Sequence, residues 1–472
     1  MGRVILSIAT AMAVAIAPSR VLAQQPAPPA PPAPPAARPA PQPPRAASKL
    51  PAVEQAVLAN GLQIAVLRND TAPVVSVQLW YRAGSKDEPR DRRGTAQMFK
   101  HLMYRGTKHA RTDAHALFVT GVGGFAQAIV DEDASHYVNT LPADYLDFAI
   151  RLEAERMRNL LLRPDVIARE REAVKDEIRQ QEGAPLSAGF LRFIEAAYTK
   201  HPYAWTADGK LKDVDAITAE DLQKFYDAYY QPNNALLVVV GKTTLDAVKA
   251  SAEQHFGAIP KAPEPPRPSR AAAEPPQTAQ RRHVLPPGPI GLTFVGFHIP
   301  AAKDRDIYAL QVASIILGVG ETSRLKVRLR SNDPKSNPKR PYALDGGVEA
   351  VVREEPGVLI TLGIYREAAQ GEGVEAAILD ELGKLAGAGP TADELRKAKN
   401  QIQSGFVFSL ENSQGLAQAI GRSWTLVGDP GAFMRDVDEI EKLTPADVAR
   451  AVKQHLAADK ATIVVIPPKG GK

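Results

Sequence analysis

The chain has 472 residues, a formal net charge of +5 and no cysteine. Its basic residues are interleaved with acids, as in Lys86-Asp-Glu-Pro-Arg-Asp-Arg-Arg93, which excludes a nucleic-acid-binding face. Without cysteine, disulfides and thiolate metal sites are excluded as well, and the fold rests on its core.

In chain order, Arg3, the apolar run from Val4 to Pro18 and then Val21-Leu22-Ala23 read as a signal peptide over residues 1–23. It predicts export, to a periplasm. The run is too short to span a bilayer, which takes roughly 20 apolar residues, and no later segment reaches that length, so no membrane span is expected. Residues 24–49 are a Pro/Ala-rich tether with too few apolar side chains to order itself. A first domain is expected over 50–262, a proline-rich linker over 263–288 and a second domain over 289–472.

The two domains repeat one another. Thr218-Ala-Glu-Asp221 opens a helix that runs into the strand Ala235-Leu-Leu-Val-Val-Val240, and Thr444-Pro-Ala-Asp447 does the same before Ala461-Thr-Ile-Val-Val-Ile466. A Thr with an Asp three residues on is a helix cap, and the β-branched run after it is a buried strand. Earlier in each copy, Val74–Tyr81 precedes a helix at Gly94 as Ile290–Phe297 precedes one at Tyr308. The fold class is therefore α+β, two homologous domains each made of a sheet covered by helices.

Gly84-Ser85-x-x-Glu88, the Gly94–Thr107 helix, Gly123-Gly124-Phe125-Ala-Gln127, Glu170 to Glu177, His201-Pro-Tyr203 and Asp306-x-Tyr308 stand in this order along the chain. Together they resemble the pitrilysin/insulinase metallopeptidases, in particular the short members similar to the mitochondrial processing peptidase. The resemblance implies two domains facing each other across a cavity, as in a half-clamshell. It also implies a zinc site, H-x-x-E-H on a helix with a glutamate well downstream. Two imidazoles one turn apart share the metal, and the intervening glutamate takes a proton from the bound water.

Here that helix reads Gln97-Met-Phe-Lys100-His101. A neutral amide replaces the first ligand and an ammonium replaces the base, leaving His101 and the downstream Glu177 as remnant ligands, with Glu170 two turns before Glu177. The nine histidines contain no pair at one-turn spacing. The chain is expected to bind no zinc and to lack hydrolytic activity alone, with Lys100 paired to Glu177 or Glu170 in the metal's place.

The resemblance also implies an arginine and a tyrosine of the second domain that hold substrate. Arg330 and Tyr342 are the candidates, with Arg328 or Arg340 as alternative cations. Gly124, Phe125 and Gln127 lie on a segment that in the family pairs with extended peptide. The expected function is a non-catalytic subunit of an exported heteromeric zinc peptidase, with a homologous partner supplying the zinc and peptide as substrate. The rivals are a peptide-binding, chaperone-like clamp and an active zinc peptidase.

Overall fold

A computed structural model describes residues 52–268, 273–330, 342–409 and 412–470. The expected signal peptide over 1–23, the expected tether over 24–49 and Arg340 lie outside these residues. In the first half, β1 (Glu54–Val57), β2 (Gln63–Arg68) and β3 (Val74–Tyr81) precede α1 (Thr95–Leu102) and α2 (Ala114–Gly121). Then come β4 (Phe125–Val130), β5 (Ser135–Pro142), α3 (Leu146–Arg158), α4 (Pro164–Gly183), α5 (Pro185–Ala197), α6 (Leu211–Ala216), α7 (Ala219–Tyr229), β6 (Ala235–Gly241) and α8 (Leu245–Phe256).

The second half follows the same course. Strand β7 (Arg281–Val284), β8 (Gly291–Ile299), α9 (Asp306–Gly318), α10 (Arg324–Arg330), β9 (Asp345–Val351) and β10 (Gly357–Tyr365) come first. They are followed by α11 (Gln370–Ala388), α12 (Ala392–Ser409), α13 (Ser413–Val427), α14 (Phe433–Lys442), α15 (Pro445–His455) and β11 (Thr462–Ile466).

Strand order confirms the repeat. The first sheet runs β1-β2-β6-β3-β5-β4 and the second β7-β11-β8-β10-β9, the same order apart from the extra β1. In each, one parallel pair (β2 with β6, β7 with β11) sits beside antiparallel neighbours. Both expected caps form as reciprocal boxes: Thr218 and Asp221 at α7, Thr444 and Asp447 at α15. The apolar run of β6 is buried throughout because the strand lies inside the sheet.

The expected linker over 263–288 needs correction. Arg281-Arg-His-Val284 is free of proline, so its backbone N–H groups are available, and it pairs with β11 as an edge strand. The stretch before it is also pinned. Glu274 accepts hydrogen bonds from the backbone of Thr199, Lys200 and His201, and Arg267 donates to Asn234 and the Arg82 carbonyl.

The division at the linker is one of chain and not of packing, because each half lends a helix to the other. Helix α5 lays Phe190, Phe193 and Ile194 on Leu292, Phe294 and Val464 of the second sheet. Helix α13 lays Leu416, Ala417, Ile420 and Trp424 on Trp80, Leu236 and Val238 of the first. A glycine makes each approach close. A Cβ on Gly189 would stand 2.7 Å from the Phe294 ring, and one on Gly421 would stand 2.1 Å from the Trp80 ring.

Between the halves, the β4–β5 turn meets its repeat counterpart, the β9–β10 turn. Lys86, fully buried, reaches Asp133 at 2.8 Å and also pairs with Glu354, while Arg353 pairs with Glu132. Burial alone pushes the Lys86 ammonium down, but Asp133, Asp87 and Glu354 more than reverse this. Among the described residues, no helix is long and apolar enough to cross a membrane.

Candidate functional site

Helix α1 buries Met98, Phe99 and Leu102 in the first core, where Phe99 packs on Phe225, Tyr226 and Tyr230. Its N-terminus is tied down by Glu88, a buried carboxylate that accepts from Gly94 N at 3.0 Å and Ala96 N at 2.8 Å. Burial holds that carboxyl above its ordinary range, against the pull of the two backbone N–H groups. With one face fixed in the core, Gln97, Lys100 and His101 meet α4.

The geometry centres on Glu177. Gln97 Nε2 donates to its Oε2 at 2.6 Å, and Lys100 Nζ lies 3.1 Å from the same oxygen. His101 stands between two acids, with Nε2 3.4 Å from Glu177 Oε1 and Nδ1 3.4 Å from Glu170 Oε2. At that distance these are electrostatic contacts more than hydrogen bonds. Burial pushes the Glu177 carboxyl up, but His101 and Lys100 outweigh it and draw it down to about 2.

Glu170, two turns earlier on α4, is buried and held at 2.8 Å by Arg105. Arg105 was not found by sequence reasoning. It lies beyond the end of α1 at Leu102, in the turn that follows, so helical spacing gave no signal for it.

A catalytic zinc needs lone pairs converging on an open position. Here an amide N–H and an ammonium both point at Glu177 Oε2, and the ammonium would stand beside the cation. The residues do not fit a zinc ion. Among the described residues, no group of three or more His, Cys, Asp or Glu side chains is arranged to hold a metal.

The remaining candidates lie elsewhere. Among the described residues strand β4 pairs only with β5, which leaves its other edge without a strand partner there, and Phe125 and Gln127 are exposed along it. Gly124 packs closely against the Thr140 and Val119 carbonyls just before the strand. In the second half, Arg330 is committed to Asp345 at 2.9 Å and to Glu321 at 2.5 Å, and so is not a free donor. The Tyr342 ring carries the Arg328 guanidinium 5.1 Å from its centre.

Two family models match the chain. The one described as insulinase (peptidase family M16) covers residues 63–207 and so includes Gln97, Lys100, His101 and Glu177. The one described as peptidase M16 inactive domain covers residues 216–402, a span that begins after that cluster. The zinc protease PqqE of Helicobacter pylori is 28% identical over 428 residues, 90% of this chain and 94% of that protein. A crystal structure of a protease from Helicobacter pylori superposes with a TM-score of 0.82 at 28% identity, covering 89% of this chain and 100% of that one. A peptidase M16 inactive domain structure from Pseudomonas fluorescens gives 0.78 at 21% identity over 89% of this chain and 98% of that one, a likeness of fold alone. With the repeated sheets, the half-to-half packing and the two adjoining family matches in agreement, the chain belongs to the insulinase, or M16, peptidase family.

Proposed function

We propose that this chain is a non-catalytic subunit of an exported zinc peptidase, with the metal and the general base supplied by a homologous partner. One observation carries the reading. Gln97 and Lys100 both direct hydrogen-bond donors onto Glu177, where zinc chemistry would require a ligand and a base. An ionised lysine takes no proton from water, so the cluster serves as a charge-balanced wall. In this reading the chain itself binds no zinc, residues 1–23 direct export to a periplasm, and the β4 edge at Gly124, Phe125 and Gln127 holds extended peptide. Arg330, bound to Asp345 and Glu321, and Tyr342, beneath Arg328, are the second half's candidate contribution in this reading.

The test is to purify the chain with a secreted homologue bearing an intact H-x-x-E-H motif and compare each protein with the mixture. Zinc should follow the homologue, and peptide cleavage should rise in the mixture. Stoichiometric zinc and chelator-sensitive cleavage by the lone chain would overturn the reading. The open edge of β4 also supports a second reading, a clamp that holds peptide without cleavage. That reading expects chelator-insensitive peptide binding by the lone chain and no gain from a partner.

A further inference from the structure

We infer that a cavity beside Trp205 is a subsite for a carboxylate-bearing side chain of a bound peptide. The inference rests on the peptide-handling role proposed above and adds a substrate preference to it. The cavity, of about 400 Å³, is walled by Arg90, Arg93, Glu195, Ala204 and Trp205. A second cavity of about 160 Å³ shares Glu195, Ala204 and Trp205 and extends to Lys210, Ile178 and Gly209. The pair of cavities starts one residue beyond Glu177 on α4, and Gly209 lies against Gly94 at the head of α1. A peptide held near the Glu177 cluster therefore has this cavity within reach.

The chemistry of the wall selects the ligand. The Trp205 indole is buried and fixed by its N–H, which donates to the Ser85 carbonyl at 2.9 Å. Two guanidinium groups lie over its ring, Arg90 at 5.9 Å and Arg93 at 5.8 Å from the centre. Neither group is in stacking contact at that distance, but Arg90 donates one N–H to the Lys200 carbonyl and keeps others for a planar acceptor, which a carboxylate matches with two parallel bonds.

The acids nearby are already engaged. Glu195 is held by both Arg192 and Lys210, and Asp213 pairs with Arg93. Arg90 is exposed and donates to the Lys200 carbonyl, and no carboxylate among the described residues pairs with it. The local field agrees. Lys210 is pushed below its ordinary range by burial and then by Arg93 and Arg192, in spite of its bond to Glu195.

The test uses short, labelled, alanine-rich peptides carrying a single Glu, Gln or Lys, titrated into the full chain and read by anisotropy and by tryptophan fluorescence. The Glu peptide should bind about fivefold more tightly than the Gln peptide, with the Lys peptide weakest. Binding of the Glu peptide should also change the Trp205 emission. In Arg90→Gln the Glu preference should vanish while the Gln peptide binds as before, and Arg90→Lys should restore part of it. Equal binding of Glu and Gln peptides, a preference that survives Arg90→Gln, or no binding to the lone chain overturns the inference. Equal binding alongside an active mixture with the partner removes only the subsite. A retained Glu preference with an inactive mixture removes only the subunit role.

Discussion

Helices α1 and α9 occupy the same place in the two halves, each following the central antiparallel strand of its sheet, yet they are built from different chemistry. Helix α9 is apolar on nearly every side, with Ile307, Leu310, Val312, Ile316 and Leu317 buried. Helix α1 buries Ala96, Met98, Phe99 and Leu102 among apolar neighbours but directs the polar Gln97, Lys100 and His101 to two glutamates of α4. One scaffold thus holds with either kind of helix. The polar cluster of α1 is therefore not something the fold demands, and its residues are informative about function in a way that those of α9 are not.

The largest effect should come from rebuilding α1. Gln97→His combined with Lys100→Glu sets two imidazoles one turn apart opposite Glu177. The doubly substituted chain should take up zinc in metal analysis after dialysis, where the parent does not. If it stays metal-free, the cluster is not a displaced metal site and the contrast with α9 loses its meaning.

Next is the packing the two halves share. Phe193→Ala removes a fully buried ring that α5 lays on the second sheet, at a cost of about 3–5 kcal/mol. Because each half covers the other, denaturant should still unfold the chain in one transition. Separate transitions for the two halves would show that the exchange is superficial.

The repeated caps offer an internal control. Thr218→Ala and Thr444→Ala should each cost about 1 kcal/mol, nearly equally, as read from shifts in the denaturation midpoint. The smallest effect is in acid. The folded Glu177 pKa, about 2, lies below its ordinary 4.5, so its stabilisation is complete above the unfolded value and is lost as pH falls from there toward about 2. With its side chain 38% exposed, screening holds this to under about 1 kcal/mol. Glu177→Gln should therefore lower stability at neutral pH by under about 1 kcal/mol and flatten the acid limb, the two proteins converging as pH falls toward about 2.

What could be read from the sequence was local. The capping boxes at Thr218 and Thr444, the buried run of β6, the largely buried run of β11 and the altered zinc helix each depend on spacing within a dozen residues. Strand order and helix exchange do not. The patterns of α5 and α13 announce an apolar face but not which sheet it covers, and no nearby residue carries that information. Strand β7 was hidden by the prolines on either side of Arg281-Arg-His-Val284. At the site, it was the resemblance to the metallopeptidases, and not any spacing, that made Lys100 and Glu177 candidates together. Arg105 and the Trp205 cavity depend on loops that only the folded chain brings into contact.

The exchange of helices also constrains the order in which the chain can be completed. The outer face of the first sheet, including Trp80, is covered by α13, whose residues are synthesised more than 300 positions later. A nascent chain that already holds all of β1 to β6 still has that face bare, so the first half cannot finish folding while the second is being made. Until residues 413–427 arrive, the growing polypeptide carries an uncovered apolar sheet face. The final step of folding is then the mutual closure of both halves.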